Sequence, residues 1–160
     1  MTSAPPSKPS LPTLDYAFTI SATIGQPISA GRHAQGERLH IPILSGRVDG
    51  PRLQGTILPG GSDWPLIRPD GTSEISASYS MRADDGTLIF VQNQGLRVSS
   101  PEVLARLRQG QPVDPSEYYF FATPRFDAPD GPHHWLRDTV FLSSIAPSSE
   151  GITIAVYAVR

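Results

Sequence analysis

The sequence contains no cysteine, which excludes a disulfide framework, a thiolate nucleophile and a cysteine-ligated metal site. It also lacks an excess of positive charge, since 13 Lys and Arg stand against 15 Asp and Glu for a net charge of −2. Such a balance provides no electrostatic attraction for a nucleic-acid backbone or an anionic membrane surface. The longest apolar runs are far shorter than the roughly 18 residues that a membrane-spanning helix needs. We therefore expect neither a nucleic-acid partner nor a membrane partner.

Glycine and proline are plentiful, with 14 and 17 in 160 residues, as is natural for a chain with many turns. The first ten residues are rich in proline and serine and contain no apolar stretch of the kind that a secretory signal requires. Residues 1–13 are therefore predicted to be a disordered tail, and residues 14–160 a single domain. Without an export signal, we expect a cytoplasmic location.

Apolar residues recur over about eight segments separated by turn residues, most of them with the period of two that is typical of half-buried β-strands. The segments are 14–20, 39–43, 53–57, 75–81, 88–91, 118–121, 135–142 and 152–159. Asp85-Gly86, between two of them, is a strong hairpin signal. One short helix is predicted after Ser100, a suitable N-cap, with Pro101 at its first position and Gly110 at its end.

Several predicted strands carry apolar residues on both faces, for example 88–91 and 118–121. A sheet with one solvated face does not need that pattern. The pattern favours an all-β fold, a single antiparallel β-barrel of about eight or more strands with one short helix and a partly apolar lumen. A two-layer sandwich, or a subunit interface that covers the second face, also accounts for it.

Several blocks of the sequence resemble one known family. The blocks are 36–42, 46–51, 55–64 with its Pro-Gly-Gly-Ser-Asp-Trp element, 70–71, 77–79, 85–86, 119–127 and 135–136. Together they run over nearly the whole chain and resemble the "domain of unknown function 3237" family of bacteria and fungi. The resemblance implies a small antiparallel β-barrel that commonly associates as a homodimer, and it implies no settled biochemical role.

The sequence departs from that family's pattern at two positions where relatives usually have arginine, which are Ser78 and Phe121 here. Relatives also commonly have Glu and Thr where this chain has Asp127 and Ala128. Each missing guanidinium group could bind a carboxylate in a fork geometry. If those arginines act on a ligand in relatives, this protein handles something less anionic or lacks the activity. If they are structural, the two losses compensate each other.

Asp63 and Trp64 follow a Pro-Gly-Gly turn at the end of a predicted strand. Glycine lets a backbone approach a ligand closely, aspartate supplies a base or a hydrogen-bond acceptor, and an indole supplies a flat apolar wall. This combination is typical of a pocket rim, so Asp63 is a candidate catalytic residue and Trp64 a candidate ligand contact. In the alternative interpretation, Asp63 caps the turn and Trp64 belongs to the core.

Aromatic residues on other segments are candidates for the wall of the same cavity if their strands point them inward. Their rings stack on planar substrates, and a phenol such as that of Tyr79 can donate a proton or orient a carbonyl. The other candidates are Tyr119, Phe121 and Trp135. The alternative is that all of them are ordinary core residues of a barrel.

Arg125 and Asp127 flank Phe126 and share one face of a predicted strand. Arg125 is a candidate to polarise a carbonyl oxygen, with Asp127 as its orienting carboxylate, and a surface ion pair is the alternative. His40 is a candidate acid or base inside the barrel, with a structural imidazole as the alternative. No histidines show metal-ligand spacing, and no glycine-rich phosphate loop is present, so we expect no metal and no cofactor.

These features favour a cofactor-free barrel enzyme that acts on a small apolar or aromatic metabolite. Isomerisation, cyclisation, dehydration or another lyase step fits a site with one buried acid or base, the role expected of Asp63. Two alternatives stay open. One is a non-catalytic carrier or sensor for a similar small molecule, and the other is a dimeric structural module whose lumen is fully packed.

Overall fold

The computed structural model describes residues 7–160 of the chain. This part contains eleven β-strands, one α-helix and two short 3₁₀ turns. In chain order the strands are β1 (Leu14–Ile24), β2 (Ile28–His33), β3 (Gly36–Asp49), β4 (Gly55–Ile57), β5 (Gly61–Asp63), β6 (Leu66–Ile67), β7 (Ser73–Ala83), β8 (Leu88–Ser99), β9 (Tyr118–Asp127), β10 (Phe141–Pro147) and β11 (Gly151–Val159). The helix α1 (Pro101–Arg108) lies between β8 and β9.

The strands form one closed antiparallel barrel. Strand β1 pairs with β11, and the sheet continues through β10, β9, β8 and β7. The short strands β4, β5 and β6 lie between β7 and β3 and share one position in the sheet. Strand β3 then pairs with β1 and closes the ring, so that the barrel has no free sheet edge at this seam. The predicted all-β barrel with one helix is confirmed.

One half of the lumen is filled by side chains. Phe18, Phe126 and Phe141 pack edge to face there, with ring centroids 5.6 Å and 5.0 Å apart. Phe18, Val91 and Val156 have no accessible surface. Their positions follow from the alternation of the strands, since every second residue faces inward. The other half of the lumen contains a cavity. The packed core and the cavity therefore lie in different halves of the barrel.

The helix α1 lies at the hollow half. Ser100 caps its start by accepting a hydrogen bond from the Val103 backbone N–H at 3.2 Å, and Pro101 is its first residue. Val103 and Leu104 are buried. The last residue, Arg108, is one of the residues that line the cavity. The predicted helix is thus present, and its end is part of the cavity mouth.

Several segments differ from the sequence prediction, among them 135–142 and β2. The segment 135–142 was expected to be a strand, but His134–Leu136 forms a 3₁₀ turn and β10 begins only at Phe141. The turn is held by backbone hydrogen bonds from Leu136 to His133 and from Arg137 to His134. Strand β2 was not predicted, because all six of its residues are exposed and their sequence has no apolar alternation.

The predicted tail lies partly outside the described residues, since 1–6 are not among them. Residues 7–13 are exposed and belong to no strand or helix. Thr13 exchanges two backbone hydrogen bonds with Arg160, at 2.7 Å and 2.9 Å. The disordered tail over 1–13 and the single domain over 14–160 stay predictions. Within residues 7–160, no helix is long and apolar enough to cross a membrane.

Candidate functional site

The hollow half of the barrel contains a cavity of about 240 Å³. Its wall is mostly aliphatic, and among the described residues the lining includes one aromatic ring, that of Tyr79. Pro27 and Arg108 are exposed members of the lining and mark its opening to solvent. The apolar wall residues are Ala22, Ile24, Pro27, Leu39, Ile41, Ile43, Pro65, Ile67, Ile75, Ala77, Ile145, Ile152 and Ile154. A cavity of this size and chemistry is suited to a small apolar molecule.

A few polar side chains converge on this apolar space: Ser73, Asp63, Tyr79, Asn93 and Arg97, with Arg108 at the mouth. Among residues 7–160, three of the four buried side-chain atoms without a hydrogen-bond partner belong to this group. They are the Tyr79 hydroxyl, Asn93 Oδ1 and Arg97 Nε. Buried polar atoms in proteins are normally paired, so three unpaired atoms on residues of one cavity lining make these side chains candidates to bind a polar ligand group.

Asp63 is the ionisable group of the cavity that titrates nearest to neutral pH. Its strand β5 lies between β3 and β7, with Asp63 opposite Ile41 and Ala77. The carboxylate accepts a hydrogen bond from the Ser76 backbone N–H at 3.0 Å. Burial raises the pKa of Asp63 to about 6, against the opposing effects of the Ser76 hydrogen bond and the charge of Arg97. A carboxyl with this pKa can both take and give a proton near neutral pH.

The Pro-Gly-Gly turn brings Asp63 to this position. Gly60 has a φ of +104°, a conformation that side chains other than glycine rarely adopt. Gly61 lies so close to β7 that an added Cβ would be 2.4 Å from the Tyr79 Cβ and 2.7 Å from the Ser78 carbonyl oxygen. The two glycines therefore let the chain turn into β5 and let β5 pack closely against β7. As a result, Asp63 lies next to β7, the strand that carries Tyr79.

We expect Gly61→Ala to destabilise the protein by about 2 to 3 kcal/mol, because its Cβ would overlap backbone as well as Tyr79. Gly60→Ala is the matched control. Nothing lies within 4 Å of a Cβ at Gly60, so only backbone strain of about 1 kcal/mol is expected there. Urea unfolding of both variants measures the difference. Equal losses would show that the close approach of β5 to β7 does not constrain position 61.

Tyr79 is placed in the cavity, as the sequence suggested. Its side chain is 5% exposed, and burial raises the pKa of its hydroxyl well above the ordinary value. The group therefore stays protonated at neutral pH and can donate a hydrogen bond to a ligand oxygen. Tyr79 and Asp63 are the two sequence-predicted candidates that line the cavity.

His40 and Trp64 lie on the outer face of the barrel instead. His40 follows Leu39 and precedes Ile41, both of which line the cavity, so alternation turns its imidazole outward. His40 Nε2 is 2.8 Å from the Ser62 hydroxyl, and its ring centroid is 5.7 Å from that of Trp64. The expectation that His40 acts inside the barrel, and that Trp64 forms a cavity wall, is not met by this geometry.

The candidates on β9 also face outward. Tyr119 and Phe121 are 52% and 47% exposed, with ring centroids 4.8 Å apart. Arg125 and Asp127 share the predicted face, but that face is the solvent side of the strand. The residues between them are buried: Phe120, Ala122, Pro124 and Phe126. A strand with aromatic residues on both faces gave no indication in the sequence of which face was inward.

Trp135 lies away from the cavity, half-buried in the 3₁₀ turn before β10. The Arg52 guanidinium lies 3.7 Å above its ring, and Phe141 is 5.7 Å away between ring centroids. These contacts place Trp135 at the packed half of the barrel, where it covers the aromatic core. Among the described residues, no group of three or more His, Asp or Glu is arranged to hold a metal ion.

Sequence reasoning missed four polar residues of the cavity: Ser73, Asn93, Arg97 and Arg108. The predicted strand ended at Val91 because polar residues follow it, whereas β8 continues to Ser99 and pairs along the length of β7. Extending the hairpin register from Asp85-Gly86 would have placed Asn93 and Arg97 on the same face as buried Val91. For Arg108, the helix pattern carried no comparable signal.

Comparison with known proteins assigns the family. The model of the family described as "Protein of unknown function (DUF3237)" matches residues 12–159. The chain belongs to the DUF3237 family. It is 41% identical over 150 residues to the UPF0311 protein RPA1785 of Rhodopseudomonas palustris, covering 92% of this chain and 98% of that protein. It is 36% identical over 146 residues to a UPF0311 protein of Clostridium acetobutylicum, covering 91% and 92%.

Several solved structures have the same fold. The crystal structure of RPA1785 matches with a TM-score of 0.88 and 38% identity, covering 95% of this chain and all of that one. A protein of Acinetobacter baumannii described as β-barrel like matches with a TM-score of 0.83 and 32% identity, covering 96% and 99%. A structure described as an enzyme from Penicillium herquei has a TM-score of 0.73 at 19% identity, covering 97% and 99%. That last similarity concerns the fold alone.

The two positions where the DUF3237 pattern led us to expect arginine do not line the cavity. Ser78 lies opposite Ser62 and Gln92, between the inward-facing residues Ala77 and Tyr79. Phe121 lies on the outer face of β9, opposite Leu96. The absence of arginine at these positions therefore leaves the lining of the cavity unchanged. It changes the outer surface of the barrel instead.

Proposed function

We propose that this protein binds a small, largely apolar metabolite in the barrel cavity and transforms it without a cofactor, by an isomerisation, cyclisation or lyase step. The observation that carries the proposal is a carboxyl of pKa about 6, that of Asp63, inside an aliphatic cavity. Enzymes use such burial to give an acid or base a pKa near the working pH. At about 240 Å³, the cavity is suited to a molecule of about 10 to 15 non-hydrogen atoms.

The cavity supplies the groups that a proton transfer needs. The Asp63 carboxylate takes a proton from a carbon or hydroxyl of the substrate and returns it at another atom, so that no oxidant or reductant is consumed. The Tyr79 hydroxyl donates a hydrogen bond to the substrate oxygen on which charge develops, and the positive charge of Arg97 stabilises the same charge. In this proposal Arg97 polarises the substrate oxygen, the role that the sequence analysis predicted for Arg125.

Because the cavity wall is aliphatic, we propose an apolar substrate rather than an aromatic one. The sequence suggested aromatic walls from Trp64, Tyr119, Phe121 and Trp135, and these side chains lie elsewhere. Isoleucine, leucine, alanine and proline form most of the lining, and these side chains select by shape and apolarity rather than by stacking. The Penicillium herquei protein described as an enzyme supports catalysis in this barrel fold by analogy only.

The binding part of the proposal is tested by filling the cavity. We expect Ala77→Leu to weaken binding of a neutral apolar probe, octan-1-ol, by at least about 10-fold, because the added carbons occupy the space beside Asp63. Ser76→Leu adds the same side chain on the exposed outer face of β7 and is expected to leave binding unchanged. Ligand-observed NMR titration measures both. Equal binding by both variants would contradict a site in the lumen.

An enzyme is distinguished from a non-catalytic carrier or sensor by whether the bound molecule is chemically changed. Incubation with a bacterial metabolite extract, followed by mass spectrometry, is expected to show a compound whose structure changes in the presence of protein. A compound that is retained without chemical change would favour the carrier or sensor instead. The remaining alternative, a structural module, requires a packed lumen, and the cavity of about 240 Å³ argues against it.

The homodimer that the family resemblance implies stays a prediction. Apolar residues exposed on β8 and β9 provide a surface that a second copy could cover: Leu96, Val98, Tyr119 and Phe121. A second copy on this surface would account for the apolar residues on the outer face of these strands. The absence of a cofactor and the cytoplasmic location likewise stay predictions.

A further inference from the structure

We infer that the ligand is a monocarboxylate with a compact aliphatic body, its carboxylate held between Arg97 and Arg108 at the cavity mouth and its body among the isoleucines. This inference rests on the proposed function, since it names the class of molecule that occupies the same cavity. Two guanidinium groups, those of Arg97 and Arg108, line an apolar space, and neither forms an ion pair with a carboxylate of the described chain.

Half of the twelve arginines of the described chain have a carboxylate partner. Six of them form ion pairs with Asp or Glu: Arg32, Arg47, Arg68, Arg106, Arg137 and Arg160. Among residues 7–160, the other six arginines have no such partner within 4.0 Å, and of these six Arg97 and Arg108 are the two that line the cavity. Arg97 Nε is also buried without a hydrogen-bond partner. An unpaired buried donor on a charged group is costly, and because the Arg97 side chain also lines the cavity, an anionic ligand group there would stabilise its guanidinium.

The two arginines are close enough to affect each other. Burial, and then the positive charge of Arg108, lower the pKa of Arg97 from its ordinary value. Like charges held together at the edge of a low-dielectric cavity repel each other, and a bound anion relieves that repulsion. Asp63 cannot fully supply this anion, because its carboxylate accepts the Ser76 N–H and its pKa is about 6.

The placement of the two groups fits a ligand with one polar end. Arg97 extends from β8 on the inward face that it shares with Asn93, and Arg108 extends from the end of α1, where it is exposed. A head group between them lies at the solvent side, while the aliphatic wall encloses the rest of the molecule. Guanidinium groups bind carboxylates through paired, parallel hydrogen bonds.

The charge balance favours a single negative charge over two. The cavity lining contains two arginines and one carboxyl, that of Asp63. A monocarboxylate compensates the arginines without bringing a second negative charge toward Asp63. A phosphate monoester, which carries close to two charges at neutral pH, would be repelled by the Asp63 carboxylate. The expected ligand is therefore a carboxylic acid and not a phosphate ester.

The test compares probes that differ only at the head group: octanoate, octanamide and octyl phosphate. In the unaltered protein, we expect octanoate to bind at least about 10-fold more tightly than octanamide or octyl phosphate, as for a charge-assisted hydrogen-bonded pair. Arg97→Gln and Arg108→Gln should each remove most of that preference and leave octanamide binding unchanged. Arg82→Gln, an exposed position on the outer face of the same hairpin, is the control and should preserve the preference.

Isothermal titration calorimetry measures the preference, and circular dichroism checks that each variant folds. Should Arg97→Gln not fold, the exposed Arg108→Gln carries the test alone. Equal binding of octanoate and octanamide, or a preference that survives in Arg108→Gln, overturns the monocarboxylate while leaving the cavity site intact. Tighter binding of octyl phosphate overturns it in favour of a phosphate ester. Failure of all three probes and of octan-1-ol to bind would overturn the proposed function as well.

Discussion

Replacing Asp63 with asparagine is expected to make the folded protein more stable at pH 7.5, by about 2 to 3 kcal/mol. The reason is the difference between its folded pKa of about 6 and its ordinary value of 3.8. Between these two pH values the folded state binds more protons than the unfolded state, so the stability contributed by this group falls as the pH rises. Asparagine keeps the size and the acceptor for the Ser76 N–H and removes the buried charge.

Urea unfolding of both proteins at pH 7.5 and pH 4 measures this effect. The gain should be largest at pH 7.5 and fall below about 1 kcal/mol at pH 4, where the folded Asp63 is protonated in the unaltered protein. Asp127→Asn, on the exposed face of β9, is the control and should change stability by less than about 0.5 kcal/mol. A loss of stability in Asp63→Asn would favour the structural interpretation, in which the carboxylate is retained to hold β7. A gain in stability would show that Asp63 destabilises the folded protein, as is typical of residues in functional sites.

The second large effect concerns turnover. With a substrate found by the extract experiment, we expect Asp63→Asn to lower kcat at least about 100-fold, the usual contribution of a positioned acid or base. The proposed mechanism uses the free carboxylate as a base, so it predicts that kcat/KM falls as the pH drops below about 6. Steady-state assays from pH 5 to 8 measure kcat and kcat/KM of the unaltered protein and of Asp63→Asn.

Two further variants make that result specific. Tyr79→Phe removes the hydroxyl and keeps the ring, and we expect about a 10-fold loss for one hydrogen bond to the developing charge. His40→Gln alters the other acid or base candidate of the sequence, whose imidazole lies outside the barrel. Activity should be retained in His40→Gln. A pH profile that loses its acidic limb in His40→Gln but keeps it in Asp63→Asn would reverse the two assignments.

The fold was largely predictable because hydrophobic alternation in β-strands reflects burial directly. Strands β1, β7 and β11 alternate clearly, and they were predicted close to their observed bounds. The misses have physical reasons. Strand β2 is exposed over its whole length, so no periodicity distinguishes it from a loop. Trp135 and Leu136 have the composition of a strand, but their hydrogen bonds form a 3₁₀ turn.

The site was predictable only in part, because a residue's face depends on register as well as on type. Asp63 and Trp64 are adjacent in the chain, and neighbours in an extended strand point to opposite sides. The two could not both face the lumen, and the structure places the carboxyl inside and the indole outside. Asn93 and Arg97 were missed for the opposite reason. Polar residues that face inward break the hydrophobic pattern on which strand prediction relies.

The central claim is that an ionisable carboxyl lies inside a hollow that an apolar ligand can enter. The ¹³C chemical shift of the Asp63 carboxyl, followed through a pH titration with and without octan-1-ol, tests this most directly. We predict a midpoint near pH 6 in the free protein and a higher midpoint with the alcohol present, because the bound molecule excludes water from the charged form. A midpoint near pH 4 that does not respond to the alcohol would contradict the claim.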